Sequence, residues 1–312
     1  MQGICNDHTK ISRAIWTNKE EMNLDKLCYK IFHIAGYNDE EGIRESLFAD
    51  LDSYLQDKIH KLDTPTILIS NKEQYDIFCL SHHSLNPKNK FKWGELGIWA
   101  SNTLAMKNFL DTDYEYLMLM EDDILVEDKD KFLRLLSHYM DQLPEDWEVF
   151  SYFVPEDQYV KYYLKREESF AAGFGLETSI TYREINENVP GGYLIHERED
   201  GGGVVKSYQD WSMLCYVINR KTAEKILKDV FENGVYEPID WYVFNVIYLD
   251  NRIPIEKADL EKYNEDGVIF GDGTIKLDRF KTYSITPKAE KGCSLYKTES
   301  TFQKREVENT IE

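Results

Sequence analysis

The sequence predicts an α/β protein with a mostly parallel central sheet flanked by helices, and three observations carry that expectation. Short apolar runs alternate with longer stretches of helical period, the order that builds parallel sheets from crossover units. The run Tyr116-Leu-Met-Leu-Met120 is apolar without interruption, as a strand buried on both faces requires. It passes directly into Glu121-Asp122-Asp123, and open sheets of this kind bind ligands beyond the carboxyl ends of their strands.

Taken in order, residues 1–28 are polar and irregular and read as an N-terminal arm. Tyr29 to Ala35 reads as a strand that stops at the turn cluster Gly36-Tyr-Asn-Asp39. Ile43, Leu47, Leu51, Leu55, Ile59 and Leu62 recur at helical spacing, which predicts a helix with one narrow apolar face ended by Pro65. Thr66 to Ser70 is a second apolar run of strand length, and Gly94 to Leu110 a second helix with Leu96, Trp99, Met106 and Leu110 on one side. After the strand at 116–120, Phe132 to Leu143 has helical period and Trp147 to Phe153 reads as a strand. Residues 29–153 thus form a first half. Residues 154–275 form a second half, opened by a Gly- and Tyr-rich stretch at 155–206 with no clear period, which reads as a mobile loop. Within that half Trp211–Ile218 reads as a strand, Arg220–Phe231 as a helix opened by Asn219, and a further helix starts at Pro238-Ile-Asp240. Residues 276–312 read as a basic C-terminal tail.

Composition narrows the function classes. The chain has 312 residues, 42% of them hydrophobic and 13% aromatic, within the range of globular proteins. Its 37 basic and 57 acidic residues give a net charge of −20, which argues against a protein that coats nucleic acid by neutralising phosphates. No run of about 18 apolar residues occurs, so no membrane partner is expected. The first thirty residues lack the pattern of a signal peptide. Five separated cysteines, with no Cys-x-x-Cys or Cys/His cluster, read as reduced thiols of a cytoplasmic protein.

Three adjacent carboxylates at a strand end repel one another unless a cation answers them. Hard divalent ions, Mn²⁺ or Mg²⁺, are suited to carboxylate oxygens. In an extended chain Glu121 and Asp123 share a side and Asp122 points away, so the first and third carboxylates are expected to embrace one ion. The plainer alternative is a solvated acidic turn ahead of a helix, with Asp128 and Asp130 belonging to it.

Gly94-Glu-Leu-Gly-Ile-Trp-Ala-Ser101, then a helix, then Tyr116-Leu-Met-Leu-Met-Glu-Asp-Asp-Ile124, resembles the pattern of glycosyltransferase family 25, the lipopolysaccharide and procollagen galactosyltransferase type. Cys215-Tyr-Val-Ile-Asn-Arg-Lys-Thr-Ala223 and Pro238-Ile-Asp-Trp241 are similar to two further blocks of that family, in the same order. The resemblance implies the GT-A fold of nucleotide-diphospho-sugar transferases and a metal-dependent transfer from a UDP-sugar to an acceptor hydroxyl on a glycan, a protein or a hydroxylated nucleic-acid base. It implies metal contacts from Asp123 and Glu121, and donor contacts from Ala35, Gly36, Arg44, Ser70, Glu95, Glu121 and Asp122. Asp240 is implied as the general base of an inverting reaction. Two departures stand out: the family's Ser-His pair is Ser101-Asn102 here, and no His follows His196. Two readings from other classes stay open, a nucleotidyltransferase on a similar sheet and a non-catalytic binding protein of the same fold.

Other features weigh less. Tyr152, Phe153, Tyr159, Tyr162 and Tyr163 are suited to stacking on a sugar or to a core in equal measure. His82-His83 and His196 read as surface histidines before they read as metal ligands. Between Lys276 and Arg305, eight basic residues against three acidic ones form a strip suited to a diphosphate or a polyanionic acceptor.

Overall fold

The computed structural model of the chain describes residues 24–35, 42–74, 93–153, 194–197, 203–206, 213–235, 238–244, 252–254, 267–269, 274–277, 279–285 and 289–296. A 3-10 turn at Leu24–Lys26 leads into β1 (Leu27–Phe32), α1 (Ile43–Gln56), β2 (His60–Lys61), α2 (Trp93–Leu110), β3 (Tyr116–Glu121) and β4 (Ile124–Leu125). Then come α3 (Lys129–Met140), β5 (Val149–Ser151), β6 (Leu194–Glu197), β7 (Gly203–Lys206), β8 (Cys215–Asn219), α4 (Arg220–Asn233) and α5 (Ile239–Val243). The last strands are β9 (Arg252–Pro254), β10 (Gly267–Ile269), β11 (Thr274–Leu277), β12 (Thr282–Ile285) and β13 (Ser294–Leu295).

Eight strands form the central sheet in the order β2-β1-β3-β8-β5-β12-β7-β6. Among the described residues, six of them run in one direction and β8 and β7 run against it. The central sheet is thus mostly parallel, as expected, and mixed through β8 and β7. The apolar character of β3 is explained by its position between β1 and β8, where Leu117 to Met120 are wholly buried. Met118 and Met120 meet one core with Leu51 and Leu55 of α1 and Phe132 to Met140 of α3. Leu117 and Leu119 meet a second core on the other face, with α2, α4 and α5. One helical layer covers each face.

Several expected boundaries move. β1 begins at Leu27, so the polar arm ends before 28, and it stops at Phe32 rather than Ala35. The long first helix ends at Gln56; Ile59 and Leu62 keep its apolar spacing because they are buried beside β1 after the chain turns into β2. The Leu62 amide donates to the Tyr29 carbonyl at 2.8 Å. The expected strand at Thr66–Ser70 forms no ladder. It packs on α2, where Ser101 Oγ accepts from the Ile67 amide at 2.8 Å and Gly97 lies against the Ile67 carbonyl. From the stretch read as a mobile loop, Leu194–Glu197 and Gly203–Lys206 join the central sheet. From the stretch read as a basic tail, Thr282–Ile285 is inserted between β5 and β7. The strip reading of that tail loses two of its members: Arg279 lies over the Tyr242 ring at 4.0 Å, and Lys281 pairs with Asp146 at 2.5 Å. Tyr152 and Phe153 belong to the core, and the Tyr152 hydroxyl donates to the Phe132 carbonyl at 2.8 Å. The other aromatics of that cluster, and His82-His83, lie outside the described residues. His196 stands in β6 opposite Val204.

The Ile-Asn-Arg-Lys-Thr block is explained by helix ends. Asn219 caps α4, its Oδ1 accepting from the Thr222 amide at 2.9 Å. Arg220 reaches back to the carboxyl end of α2, donating to the carbonyls of Leu110 at 2.8 Å, Thr112 at 2.7 Å and Tyr114 at 3.0 Å. It satisfies carbonyls that the helix leaves without partners.

Gly97 sets two effects against each other. Ala in a helix interior is favoured over Gly by about 1 kcal/mol. Here an added Cβ meets the Ile67 carbonyl oxygen at 2.9 Å, and backbone cannot move aside cheaply. Gly97→Ala is expected to destabilise by about 2 kcal/mol, because overpacking outweighs propensity. A thermal melt showing an unchanged or raised midpoint contradicts that packing.

Candidate functional site

The strand ends bring together residues distant in sequence. β1 and β3 pair in parallel with Phe32 opposite Glu121, so the residues that follow, His33 and Asp122, leave the sheet side by side. The chain turns at Asp122-Asp123 before β4, which ends the two-residue alternation of β3. The expectation that Asp122 points away from Asp123 does not hold at that turn. Glu121 continues the face of Leu117 and Leu119, whereas Asp122 and Asp123 reach the same guanidinium.

That guanidinium is Arg44, in the first turn of α1. Its Nη1 donates to Asp122 Oδ1 at 3.1 Å and its Nη2 to Asp123 Oδ2 at 2.9 Å. His33 joins the network from β1, with Nδ1 2.9 Å from Asp122 Oδ2 and Nε2 2.9 Å from Glu45 Oε2, and its ring stacks on Phe48 at 4.3 Å. The crowded acids are thus met, in the first place, by the protein's own Arg44 and His33. Arg44 and Asp122 are only 6% and 9% exposed, so the pair is paid for in desolvation and depends on its hydrogen bonds being complete.

The opposite side of the same strand end is built differently. The Tyr216 hydroxyl donates to Asn102 Oδ1 at 2.6 Å, and Asn102 Nδ2 to the Ile98 carbonyl at 2.9 Å. Burial, reinforced by the charge of Glu121, holds the Tyr216 hydroxyl well above the usual phenol range. Asn102, which stands where the family pattern has His, is therefore a fully buried partner of β8. The same face carries Lys30, 8% exposed, its ammonium donating to the Thr64 carbonyl; burial, with Lys61 nearby, lowers its pKa.

The remaining candidates fall into place around this centre. Ala35 is exposed just beyond β1, and Gly36 lies outside the described residues. Ser70 is engaged locally: its amide and hydroxyl both donate to Gln74 Oε1, at 2.8 and 3.0 Å. Glu95 is half-buried in the first turn of α2. Asp240 is half-buried in the first turn of the five-residue α5, capped by Pro238. α5 packs through Tyr242 on Trp99 and through Phe244 on Tyr216, so Asp240 belongs to the Glu121 face of the sheet. Of the downstream acids, Asp128 caps α3 by accepting from the Lys131 amide at 2.9 Å, and Asp130 accepts from the Tyr54 hydroxyl. These two are structural, as the plainer reading has it. The C-terminal segment closes on the turn: β13 pairs with β4, and the Tyr296 amide donates to the Asp123 carbonyl at 2.8 Å.

Among the described residues, no group of three or more His, Cys, Asp and Glu side chains is arranged to hold a metal. The donor chemistry nevertheless fits a hard cation that takes one or two carboxylates and fills its shell with water and phosphate oxygens, as Mg²⁺ habitually does. Asp122 and Asp123 stand together at the turn, and Glu45 faces His33 from α1.

No residue-level signal pointed to His33, Glu45, Tyr216 or Tyr296 in the sequence. No protein-family model matches the chain, and no curated protein is significantly similar to it.

Asp122→Ala removes the acceptor shared by Arg44 and His33 and takes a carboxylate away from a buried guanidinium. The expected cost is about 3 kcal/mol in urea unfolding. A midpoint unchanged from the wild type means that water already solvates the network.

Proposed function

We propose that this chain is a metal-dependent glycosyltransferase of GT-A type, moving a sugar from a nucleotide-diphospho donor, a UDP-sugar in the first instance, to an acceptor hydroxyl. The observation that supports this best is the carboxylate turn Asp122-Asp123 at the carboxyl end of a strand buried in the middle of an α/β sheet, with the C-terminal segment fastened to it through Tyr296. Ligands of open α/β sheets bind at such strand ends. Asp123, assisted by Glu121 or Asp122, is the group to hold Mn²⁺ or Mg²⁺. The ion, when bound, supplies Lewis-acid stabilisation of the departing diphosphate.

Within this proposal the chain's own residues divide the work. Arg44 and His33 keep the turn in shape, and the Arg44 guanidinium offsets part of its charge. Asp240 takes the proton of the acceptor hydroxyl as it attacks the sugar carbon, with inversion at that carbon. The acceptor is a hydroxyl of a glycan, a protein or a hydroxylated nucleic-acid base. A cytoplasmic location belongs to the proposal and is supported by the free, buried thiols of Cys28, Cys215 and Cys293. No helix among the described residues is long and apolar enough to cross a membrane. One observation favours a second reading, a binding protein without catalysis: Arg44 already engages both acids of the turn.

Thermal shift against a panel of nucleotide sugars, with and without Mn²⁺, tests the proposal. A donor present at a hundred times its dissociation constant adds about 2.7 kcal/mol to the folded state. The expected result is a metal-dependent shift with one donor, lost in Asp123→Ala. Asp240→Asn is expected to keep the shift and lose at least about 100-fold in transfer, the worth of a general base. No shift with any donor at any metal concentration contradicts the enzyme reading.

A further inference from the structure

We propose that Cys215 and Cys293 form a reversible disulfide that fastens the C-terminal segment 289–296 to the central sheet beside the acidic turn. The two thiols are far apart in sequence, yet they meet in one core, where Cys215 is wholly buried and Cys293 is 6% exposed. Their side chains are in hydrogen-bonding contact. Both also bracket the Tyr152 backbone: its amide donates to the Cys215 carbonyl at 3.0 Å, and its carbonyl faces Cys293 Sγ at 3.9 Å. Gly292 permits that approach, since an added Cβ there would overlap the Tyr152 hydroxyl, itself bonded to the Phe132 carbonyl. Cys28 is the contrast, a free thiol in the core on the other face of the sheet.

The two partners are held differently. Cys215 opens β8, which lies between β3 and β5 in the sheet. Cys293 precedes the two-residue β13, whose only ladder is with β4 among the described residues. Glu290 adds an ion pair with Lys131 at 3.0 Å, and its carbonyl accepts from the Tyr139 hydroxyl at 3.1 Å. A short segment on so few bonds opens at lower cost than a central strand. Burial raises the Cys215 thiol well above its ordinary range, so the closed pair is unreactive. When the segment lifts, the Cys293 thiol loses its proton to solvent and attacks a low-molecular-weight disulfide such as oxidised glutathione. That S–S bond breaks, and one small thiolate leaves and takes up a proton. The Cys215 sulfur, as it loses its proton, then attacks the Cys293 sulfur, and the mixed disulfide releases the second small thiol. Two electrons and two protons pass from the pair to the oxidant. Cys215 stands opposite Met120 on β3, and Tyr296 bonds the Asp123 carbonyl, so the new bond fixes the segment at the strand ends whatever ligand they take. In a reducing compartment such a bond is transient and follows the redox state.

The test incubates the full wild-type chain with oxidised glutathione in native buffer, quenches with acid, alkylates free thiols in denaturant and maps peptides by mass spectrometry without reduction. The expected result is a peptide pair joined through Cys215 and Cys293, lighter by two hydrogens than its parts and split by dithiothreitol. The cross-linked protein is expected to unfold about 5 °C higher, because the bond closes a long loop, and to return to the original midpoint on reduction. Both thiols recovered alkylated at excess oxidant, or glutathione left on Cys293 without a link to Cys215, overturns the pairing. A link that forms only in urea belongs to the unfolded chain and overturns it as well. A midpoint that stays or falls overturns the fastening. Cys28→Ser is expected to leave the link unchanged; a link at Cys215 that survives Cys293→Ser contradicts the assignment.

Discussion

Arg44 is the constraint on which the strand ends depend. Consecutive carboxylates at the end of a buried strand cannot all ionise at low cost, and the protein answers them with a guanidinium from the first turn of the next helix layer and an imidazole from the adjacent strand. This ties β1, α1 and β3 together at one point. It also fixes the direction of the turn that carries β3 into β4, against which β13 pairs.

The two faces of β3 do different work. On one, Glu45, His33, Asp122, Arg44 and Asp123 form a continuous polar chain. On the other, Asn102 and Tyr216 close a buried hydrogen bond beneath Glu121, and α5 delivers Asp240 to that side. Much of the family-like patterning is architectural at the same time. Gly97 permits the approach of residues 66–70, Ser101 caps the Ile67 amide, Asn219 opens α4 and Arg220 closes α2.

The fold class was legible because its signals are local. The unbroken apolar run of β3 announces a central strand, and Asn219 announces a helix start; both depend on neighbours in sequence. β6, β7 and β12 were hidden because short strands of mixed composition are defined by their partners, and those partners lie far away in the chain. At the site, the acidic triplet was visible but its geometry was not. The alternation rule holds only while the chain stays extended, and it ends at Glu121. His33 escaped notice because its meaning comes from the register of β1 on β3, which no local pattern encodes.

The measurement that tests the central claim most directly is a crystal structure with a nucleoside diphosphate and Mn²⁺, with the metal located by its anomalous signal. The account predicts an anomalous peak on Asp123 with the diphosphate beside it, at the carboxyl ends of β1 and β3. A nucleotide bound elsewhere, with no metal at the Asp122-Asp123 turn, contradicts it.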